Sequence, residues 1–215
     1  MGRTSDAKQR LMEAVGELFW TGSYDSTTID QICEKAGVKK GSFYYFFEGK
    51  AALAEAALDF EWEKYRPNLD AIFSASVPPL ERIQRHCEFT LEEQTSMKAE
   101  HGCVLGCPLC TLGTEISTQD KGLQKKVQSI MAHSLKYLET AIRDAHAAGV
   151  IHAPDAHAKA SVLHAYLLGL LTQARIENDL SVLANLTSTT FELLGVKPPK
   201  APAKIRRPTQ PLETS

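Results

Sequence analysis

Apolar side chains recur along this chain every three or four residues, which is the spacing of one face of an α-helix. The first such stripe, in residues 4–22, consists of Ala7, Leu11, Val15, Leu18 and Phe19. Two shorter helical stretches follow at 28–36 and about 40–47, and Gly37 lies between them. Alternation of apolar and polar residues, which indicates strands, is hard to find. The pattern therefore predicts an all-α protein that begins with a small three-helix unit.

Longer helices are predicted for the rest of the chain. The fourth helix begins at the Glu48-Gly49-Lys50 corner and ends at Pro67, where proline cannot continue the backbone hydrogen bonding. Further helices are expected at about 80–102, 107–117, 121–148, 155–179 and 181–194. Residues 197–215 contain five prolines and no apolar stripe, which predicts a disordered tail. The expected domains are therefore residues 1–50 and residues 51–196.

The composition is typical of a globular protein, with 215 residues, 43% hydrophobic and 23% charged. The longest apolar stretch, residues 162–171, is too short to cross a bilayer. The N-terminus has no apolar segment of the kind that signal peptides carry. We therefore expect a cytoplasmic protein without a membrane partner. The five cysteines are an odd number, which argues against a disulfide framework.

Charge alone does not indicate a nucleic-acid-binding protein, because the net charge is -2. One small region is different. Residues 35–50 contain one acidic residue, Glu48, and four lysines, which are Lys35, Lys39, Lys40 and Lys50. A patch of this size can contact a few phosphates.

The short helices on either side of Gly37 have the dimensions of a helix-turn-helix motif. Thr28 and Gln31 have the spacing of a capping box, which predicts that the first of the two begins there. In the second, Phe43 and Phe47 are four residues apart and are expected to pack in the core, against Leu18, Ile29 and Ile32. The intervening aromatic residues 44–46 cannot all share that face. At least one of them is therefore expected to point outward.

The run from Thr28 to Phe47 closely resembles the TetR family of transcriptional repressors. The resemblance includes the Ala36-Gly37-Val38 turn, the Gly41-Ser42-Phe43-Tyr44 segment and Lys50 after the aromatic cluster. It implies that the helix at about 40–47 enters the major groove of a palindromic operator, that the protein acts as a homodimer, and that a small-molecule effector releases it from double-stranded DNA. The expected DNA-contacting residues are Thr28, Lys39, Lys40, Gly41, Ser42, Tyr44, Tyr45 and Lys50.

These residues have different expected roles. Lys40 and Ser42 lie near a helix N-terminus, from which donors reach base edges in the major groove. Thr28 is expected to cap its own helix and to bind a phosphate. Lys50 matches the family's phosphate-contacting lysine. Phe46 replaces the tyrosine or histidine of many relatives, which leaves the operator sequence open.

The last two helices are the expected dimer interface, as the family resemblance implies. The helix at 155–179 is apolar nearly all round in its middle, which is unusual for a surface helix. Gly169 would let two helix backbones approach closely. Part of the same apolar stripe must also belong to the core of the single chain.

Residues 101–116 contain three of the five cysteines. Gly106 and Cys107, followed by Leu112 and Glu115, resemble a segment at the start of the sixth helix in one TetR subgroup. In that subgroup the helix lines the effector pocket, and some members sense electrophiles or oxidants through a matching cysteine. The expected effector-binding or sensing residues are Cys107, Leu109, Cys110, Glu115, Tyr137, Tyr166 and Arg175.

Three interpretations of the cysteines compete. They are small core residues, or a reactive thiol whose pKa is lowered at a helix N-terminus, or zinc ligands together with His101. The spacing fits no standard zinc motif, and no metal or cofactor is expected. Two other hypotheses remain, namely a small thiol-dependent enzyme that uses Cys107 and Cys110, and a constitutive DNA-binding protein without an effector. The chain has no phosphate-binding or dinucleotide-binding loop, so an enzyme is not the expectation.

Overall fold

A computed structural model describes residues 2–198 of the chain. These residues form nine α-helices and one short 3₁₀-helix, and they contain no strand, so the all-α prediction is confirmed. The helices are α1 (Gly2–Thr21), α2 (Ile29–Ala36), α3 (Lys40–Phe46), α4 (Lys50–Ile72), α5 (Pro79–His101), α6 (Pro108–Ile116), α7 (Lys121–Ala147), α8 (Ala156–Glu177) and α9 (Leu186–Leu194). The predicted disordered tail lies, from residue 199 onward, outside the described residues.

Helices α1, α2 and α3 form the N-terminal unit, and local sequence signals explain their ends. The capping box is present, because Thr28 Oγ1 accepts from the Gln31 backbone N–H at 3.2 Å and Gln31 Oε1 accepts from the Thr28 N–H at 2.8 Å. Helix α2 ends at Gly37, whose φ of 60° lies in the left-handed region that glycine tolerates best. Phe43 and Phe47 are buried in the same cluster as Ile32, as predicted.

The core of the N-terminal unit continues into the larger domain. The buried cluster that holds Leu11, Phe43 and Leu53 also holds Leu112 of α6 and Val127 of α7. A second cluster joins α5, α7, α8 and α9. Helix α1 packs on both α4 and α6. A movement of α6 would therefore act on the N-terminal unit through its contact with α1.

Helix α4 does not end at Pro67, and that prediction is wrong. The helix continues to Ile72. A proline inside a helix costs about 3 kcal/mol. The continuation buries Leu69 and Ile72, which are 2% and 4% exposed, and each fully buried aliphatic side chain contributes about 1.5–3 kcal/mol. The burial of two side chains therefore offsets the proline.

The predicted last helix, at 181–194, is also corrected, because it is broken in two. A 3₁₀-helix spans Leu180–Leu183, and α9 begins only at Leu186. The Asp179 side chain caps the first turn by accepting from the Ser181 N–H at 2.9 Å. The Ala184 N–H then bonds to the Ser181 carbonyl at 3.0 Å, which is the tighter 3₁₀ pattern. In residues 2–198, no helix combines the length and the apolar character needed to cross a bilayer.

Candidate nucleic-acid interface and its link to the cysteine segment

Helix α3 presents two tyrosines to the outside. Tyr44 is 54% exposed and Tyr45 is 76% exposed, whereas Phe43 of the same helix is fully buried in the core. Lys39, at the N-cap, and Lys40 are exposed at the start of the same helix. The prediction that aromatic side chains turn outward here is confirmed. Cations and aromatic faces side by side form a surface that suits phosphates and base edges.

Lys40 is paired with an acid in the free protein. Its Nζ lies 2.8 Å from Asp30 Oδ1, and both side chains are largely exposed. The hydrogen bond to Asp30 raises the pKa of Lys40. Exposed ion pairs contribute little to stability. Lys40 can therefore exchange Asp30 for a DNA group at small cost.

Lys50 braces the turn between α1 and α2. Its Nζ donates to the Tyr24 carbonyl at 2.7 Å and to the Thr27 carbonyl at 3.0 Å, and it lies 4.3 Å from the centre of the Tyr24 ring. An ammonium group has three N–H bonds, and these contacts use two of them. The sequence suggested only a phosphate contact for Lys50, which stays a prediction. The bracing role was missed.

Glu115 ties α6 to the same turn. Its carboxylate accepts from the backbone N–H groups of Tyr24 and Asp25, both at 2.8 Å, and from the Ser23 hydroxyl. Partial burial alone would raise the pKa of Glu115. The bonds from Asp25, Ser23 and Tyr24, with the charge of Lys50, outweigh that effect and lower the pKa overall. Glu115 therefore connects α6 to the turn between α1 and α2 through its carboxylate.

Residues 103–110, which we call the cysteine segment, are held by side chains from several helices. Trp20 of α1 donates through Nε1 to the Leu105 carbonyl at 3.0 Å and to the Gly106 carbonyl at 3.3 Å. The Gln94 amide of α5 both donates to the Gly106 carbonyl and accepts from the Gly106 N–H, at 3.2 and 3.0 Å. Arg175 of α8 donates to the Leu105 carbonyl at 2.7 Å. Three helices thus converge on two residues.

Cys107 is the N-cap residue of α6, and Cys110 lies in the first turn of that helix. Both cysteines are free and, as whole residues, partly exposed, as is Cys103, whereas Cys33 and Cys87 are buried. The interaction with the neighbouring Cys110 thiol lowers the pKa of Cys107, burial opposes this effect, and the nearby backbone N–H groups of Cys110 and Leu109 reinforce it. The same interaction raises the pKa of Cys110.

This arrangement bears on the three interpretations of the cysteines. All three residues are partly exposed, and Cys107 also packs against a buried cluster, as a core cysteine would. Within residues 2–198 no three His, Cys, Asp or Glu side chains are close enough together to hold a metal ion. A thiolate that is stabilised at a helix N-terminus is the arrangement of a reactive cysteine.

The other predicted effector residues are not brought together at one place. Leu109 belongs to the cysteine segment and packs against the first buried cluster, and Arg175, which binds the segment, also donates to Thr111 Oγ1 at 2.8 Å. Tyr137 donates to Asp70, twenty residues beyond the start of α4 and hence about 30 Å along its axis. Burial, with the bond to Asp70, raises the pKa of Tyr137 to about 12. Tyr166 is half-buried on α8. Their assignment to an effector pocket stays a prediction.

Tyr65 was missed from the sequence. Burial raises its pKa, and the negative charges of Glu93 and Cys107 add to the effect, so Tyr65 of α4 lies near the Cys107 thiol. Its ring packs against that of Phe89 at 5.8 Å. A lone tyrosine in a helix gives no signal of such a position. The described surface also has a cleft of about 630 Å³ near His146, Lys159 and Glu192, which none of the predicted effector residues line.

Comparison with known proteins identifies the family. The profile of the bacterial regulatory proteins of the tetR family matches residues 11–57, and that of the tetracyclin repressor-like C-terminal domain matches residues 79–190. The chain belongs to the TetR family of transcriptional regulators. The TetR resemblance seen in the sequence is therefore confirmed.

Its TetR relatives include named repressors. The transcriptional regulator AcuR of Cereibacter sphaeroides is 30% identical over 158 residues, which cover 72% of this chain and 70% of AcuR. The transcriptional repressor NemR of Escherichia coli is 25% identical over 189 residues, covering 84% of this chain and 89% of NemR. A solved regulatory protein TetR from Rhodobacter sphaeroides is 27% identical, with a TM-score of 0.76, and the match covers 86% of this chain and 96% of that one.

Replacing Glu115 by glutamine tests the link between α6 and the turn. A neutral amide has one acceptor oxygen for three donors, so we expect Glu115→Gln to lower the free energy of unfolding at pH 7 by about 1 kcal/mol or more. Because folding lowers the pKa of Glu115, the stabilisation is present above the unfolded pKa and is lost as the pH falls through the folded pKa. Urea unfolding of both proteins at pH 7 and in mild acid measures the difference.

The matched control is Glu92→Gln, which alters an exposed carboxylate on α5. We expect this variant to unfold like the wild type at both pH values. If Glu115→Gln were as stable as the wild type at pH 7, the three hydrogen bonds would contribute nothing to holding the turn.

Proposed function

We propose that this TetR-family regulator is a homodimeric repressor in which α3 binds one half-site of a palindromic operator. The observation that carries the proposal is the outward display of Tyr44 and Tyr45 beside Lys39 and Lys40. Lys40 and Ser42 contact base edges, the tyrosines contact the groove walls, and Thr28, Lys39 and Lys50 contact phosphates. Gly41 keeps the helix backbone close to the DNA. Because its partner is the operator, the repressor works in the cytoplasm.

One α3 helix buries too little surface for tight specific binding. A dimer doubles the contact and places two half-sites about 34–36 Å apart, or a multiple of that. Helix α8 has a suitable face, because Val162, Gly169 and Ile176 are seven residues apart and therefore share one stripe. Val162 is 52% exposed and Ile176 is 79% exposed, while the space above Gly169 is open. We assign this stripe to the dimer interface.

Effector binding near the cysteine segment releases the operator. The route runs from residues 105 and 106 to α1 through Trp20, and from α6 to the α1–α2 turn through Glu115. A shift of either contact changes the separation of the two α3 helices. To move the population from 1:99 to 99:1, an effector must favour the released form by about 5.5 kcal/mol.

The effector includes electrophiles that react with Cys107. The lowered pKa of Cys107 favours its nucleophilic thiolate form. The reaction is stoichiometric, and the protein is not an enzyme. The NemR repressor, of which the solved structure is a reduced form, has a TM-score of 0.77 to this chain at 20% identity over 89% of this chain and 98% of NemR, which supports the shared fold.

Substitution of Lys40 tests the DNA-binding proposal. An operator is first obtained by selection from random duplexes. We expect Lys40→Ala to weaken operator binding by about 1–3 kcal/mol and to relax specificity at one position per half-site. Fluorescence anisotropy at several salt concentrations measures the affinity.

The control for Lys40 is Lys136→Ala, which removes an equally exposed lysine from α7. We expect it to bind the operator like the wild type. Normal binding by Lys40→Ala would refute the assignment of this residue, and a footprint without two-fold symmetry would refute the palindromic mode.

The dimer interface is tested by Ile176→Asp. At 79% exposure this position tolerates a charge in the folded monomer, but a charge inside a helix interface is costly. We expect the variant to sediment as a monomer with wild-type helicity and to lose operator binding. A variant that remains a dimer would place the interface elsewhere.

Cys107→Ser tests thiol sensing. We expect this variant to bind the operator normally but to resist release by an alkylating agent such as N-ethylmaleimide, because the reacting sulfur is gone. Single-hit modification that releases DNA from the wild type supports the sensor. Unchanged release from Cys107→Ser would remove the thiol hypothesis, and catalytic turnover of an electrophile without DNA binding would favour the enzyme.

A further inference from the structure

Cys110 is the last of the three cysteines in the cysteine segment. Alkylation of Cys107 does not require this thiol, so its position beside Cys107 is left to be explained. Cys107 is the N-cap of α6 and Cys110 is the third residue of its first turn. Residues three apart in a helix have Cα atoms about 5 Å apart. That lies inside the roughly 4.4–6.8 Å range over which a disulfide can form. The Cys110 thiol lies close enough to that of Cys107 to lower its pKa.

The two sulfurs differ in reactivity. Cys107 is the N-cap residue of α6, where the positive end of the helix dipole favours the negative charge of a thiolate. The interaction with Cys107 raises the pKa of Cys110, which favours the protonated form of this second thiol. Both residues are partly exposed. This is the division of labour between an attacking thiolate and a resolving thiol.

We propose that Cys107 and Cys110 form a reversible intramolecular disulfide when the protein meets a low-molecular-weight disulfide. The thiolate of Cys107 attacks one sulfur of the reagent RSSR, the S–S bond breaks, and RS⁻ leaves. Cys110 loses its proton and attacks the sulfur of Cys107, forming the protein disulfide and expelling the second RS⁻. The protein loses two hydrogens and the reagent is reduced to two RSH. Only the effect on operator binding rests on the proposed function.

The disulfide changes the residues that hold α1. Gly106 precedes Cys107 directly, has a φ of 65° and packs so closely that a Cβ would come within 2.9 Å of the Leu171 carbonyl oxygen. Its carbonyl and that of Leu105 accept from Trp20. A new covalent bond at Cys107 therefore acts on a backbone with little room to adjust. We expect the strain to pass to α1 and to release the operator.

The test treats reduced, full-length protein with glutathione disulfide and follows it by mass spectrometry. Trypsin leaves Cys103, Cys107 and Cys110 on one peptide, residues 99–121, so a second cleavage after Leu105 is needed to separate Cys103 from the pair. We expect the wild type to lose two hydrogens in the fragment that holds Cys107 and Cys110, and dithiothreitol to restore them.

Single substitutions separate the roles. We expect Cys110→Ser to accumulate a stable glutathione adduct on Cys107, since nothing resolves it, and Cys110→Ala to do the same. Cys103→Ser is the matched control and should form the disulfide like the wild type. A disulfide that includes Cys103, a link between two chains, or a wild type that stops at the glutathione adduct would each overturn the proposal.

Operator binding by the same samples separates this proposal from the proposed function. If the disulfide forms and the operator is released, both stand. If the disulfide forms without release, the dithiol pair stands and its regulatory link fails. If glutathione disulfide releases the operator from a protein that forms no Cys107–Cys110 disulfide, the dithiol proposal is overturned while the sensor is retained.

Discussion

The carboxylate of Glu115 determines how the DNA-binding unit sits on the rest of the molecule. The turn between α1 and α2 exposes backbone N–H groups that no helix satisfies, and Glu115 accepts two of them together with the Ser23 hydroxyl. Hydrogen bonds to a charged acceptor are stronger than neutral ones. Lys50 binds the carbonyls of the same turn from α4. The turn is therefore held at its N–H groups by Glu115 of α6 and at its carbonyls by Lys50 of α4.

The cysteine segment lies where this arrangement is most easily disturbed. The backbone of residues 105 and 106 accepts bonds from α1, α5 and α8, through Trp20, Gln94 and Arg175. The backbone at residues 105 and 106 has few alternative conformations, because each of its three side-chain partners belongs to a different helix. The backbone next to Cys107 thus connects α1, α5 and α8.

The interface for DNA depends on few charges, since the net charge of the chain is -2. Lys35 and Lys40 are paired with Glu17 and Asp30 in the free protein. Exposed pairs are weak and are screened by salt, so they hold the lysines without sequestering them. On such a surface the affinity depends on how well α3 fits the DNA. Phe43 and Phe47 are buried in the core and hold α3 in its orientation.

The sequence alone determined the helices, most of their ends and the outward aromatic face of α3, because these depend on residues within four positions of one another. The capping box of Thr28 and Gln31 and the burial of Phe43 are of this kind. The tertiary structure decided the rest. Glu115 and Tyr24 are 91 residues apart in the sequence, and Trp20 and Leu105 are 85 residues apart, so no local sequence pattern predicts these contacts. Likewise α4 passes Pro67 only because Leu69 and Ile72 find a core to enter, and a core is a property of the folded chain.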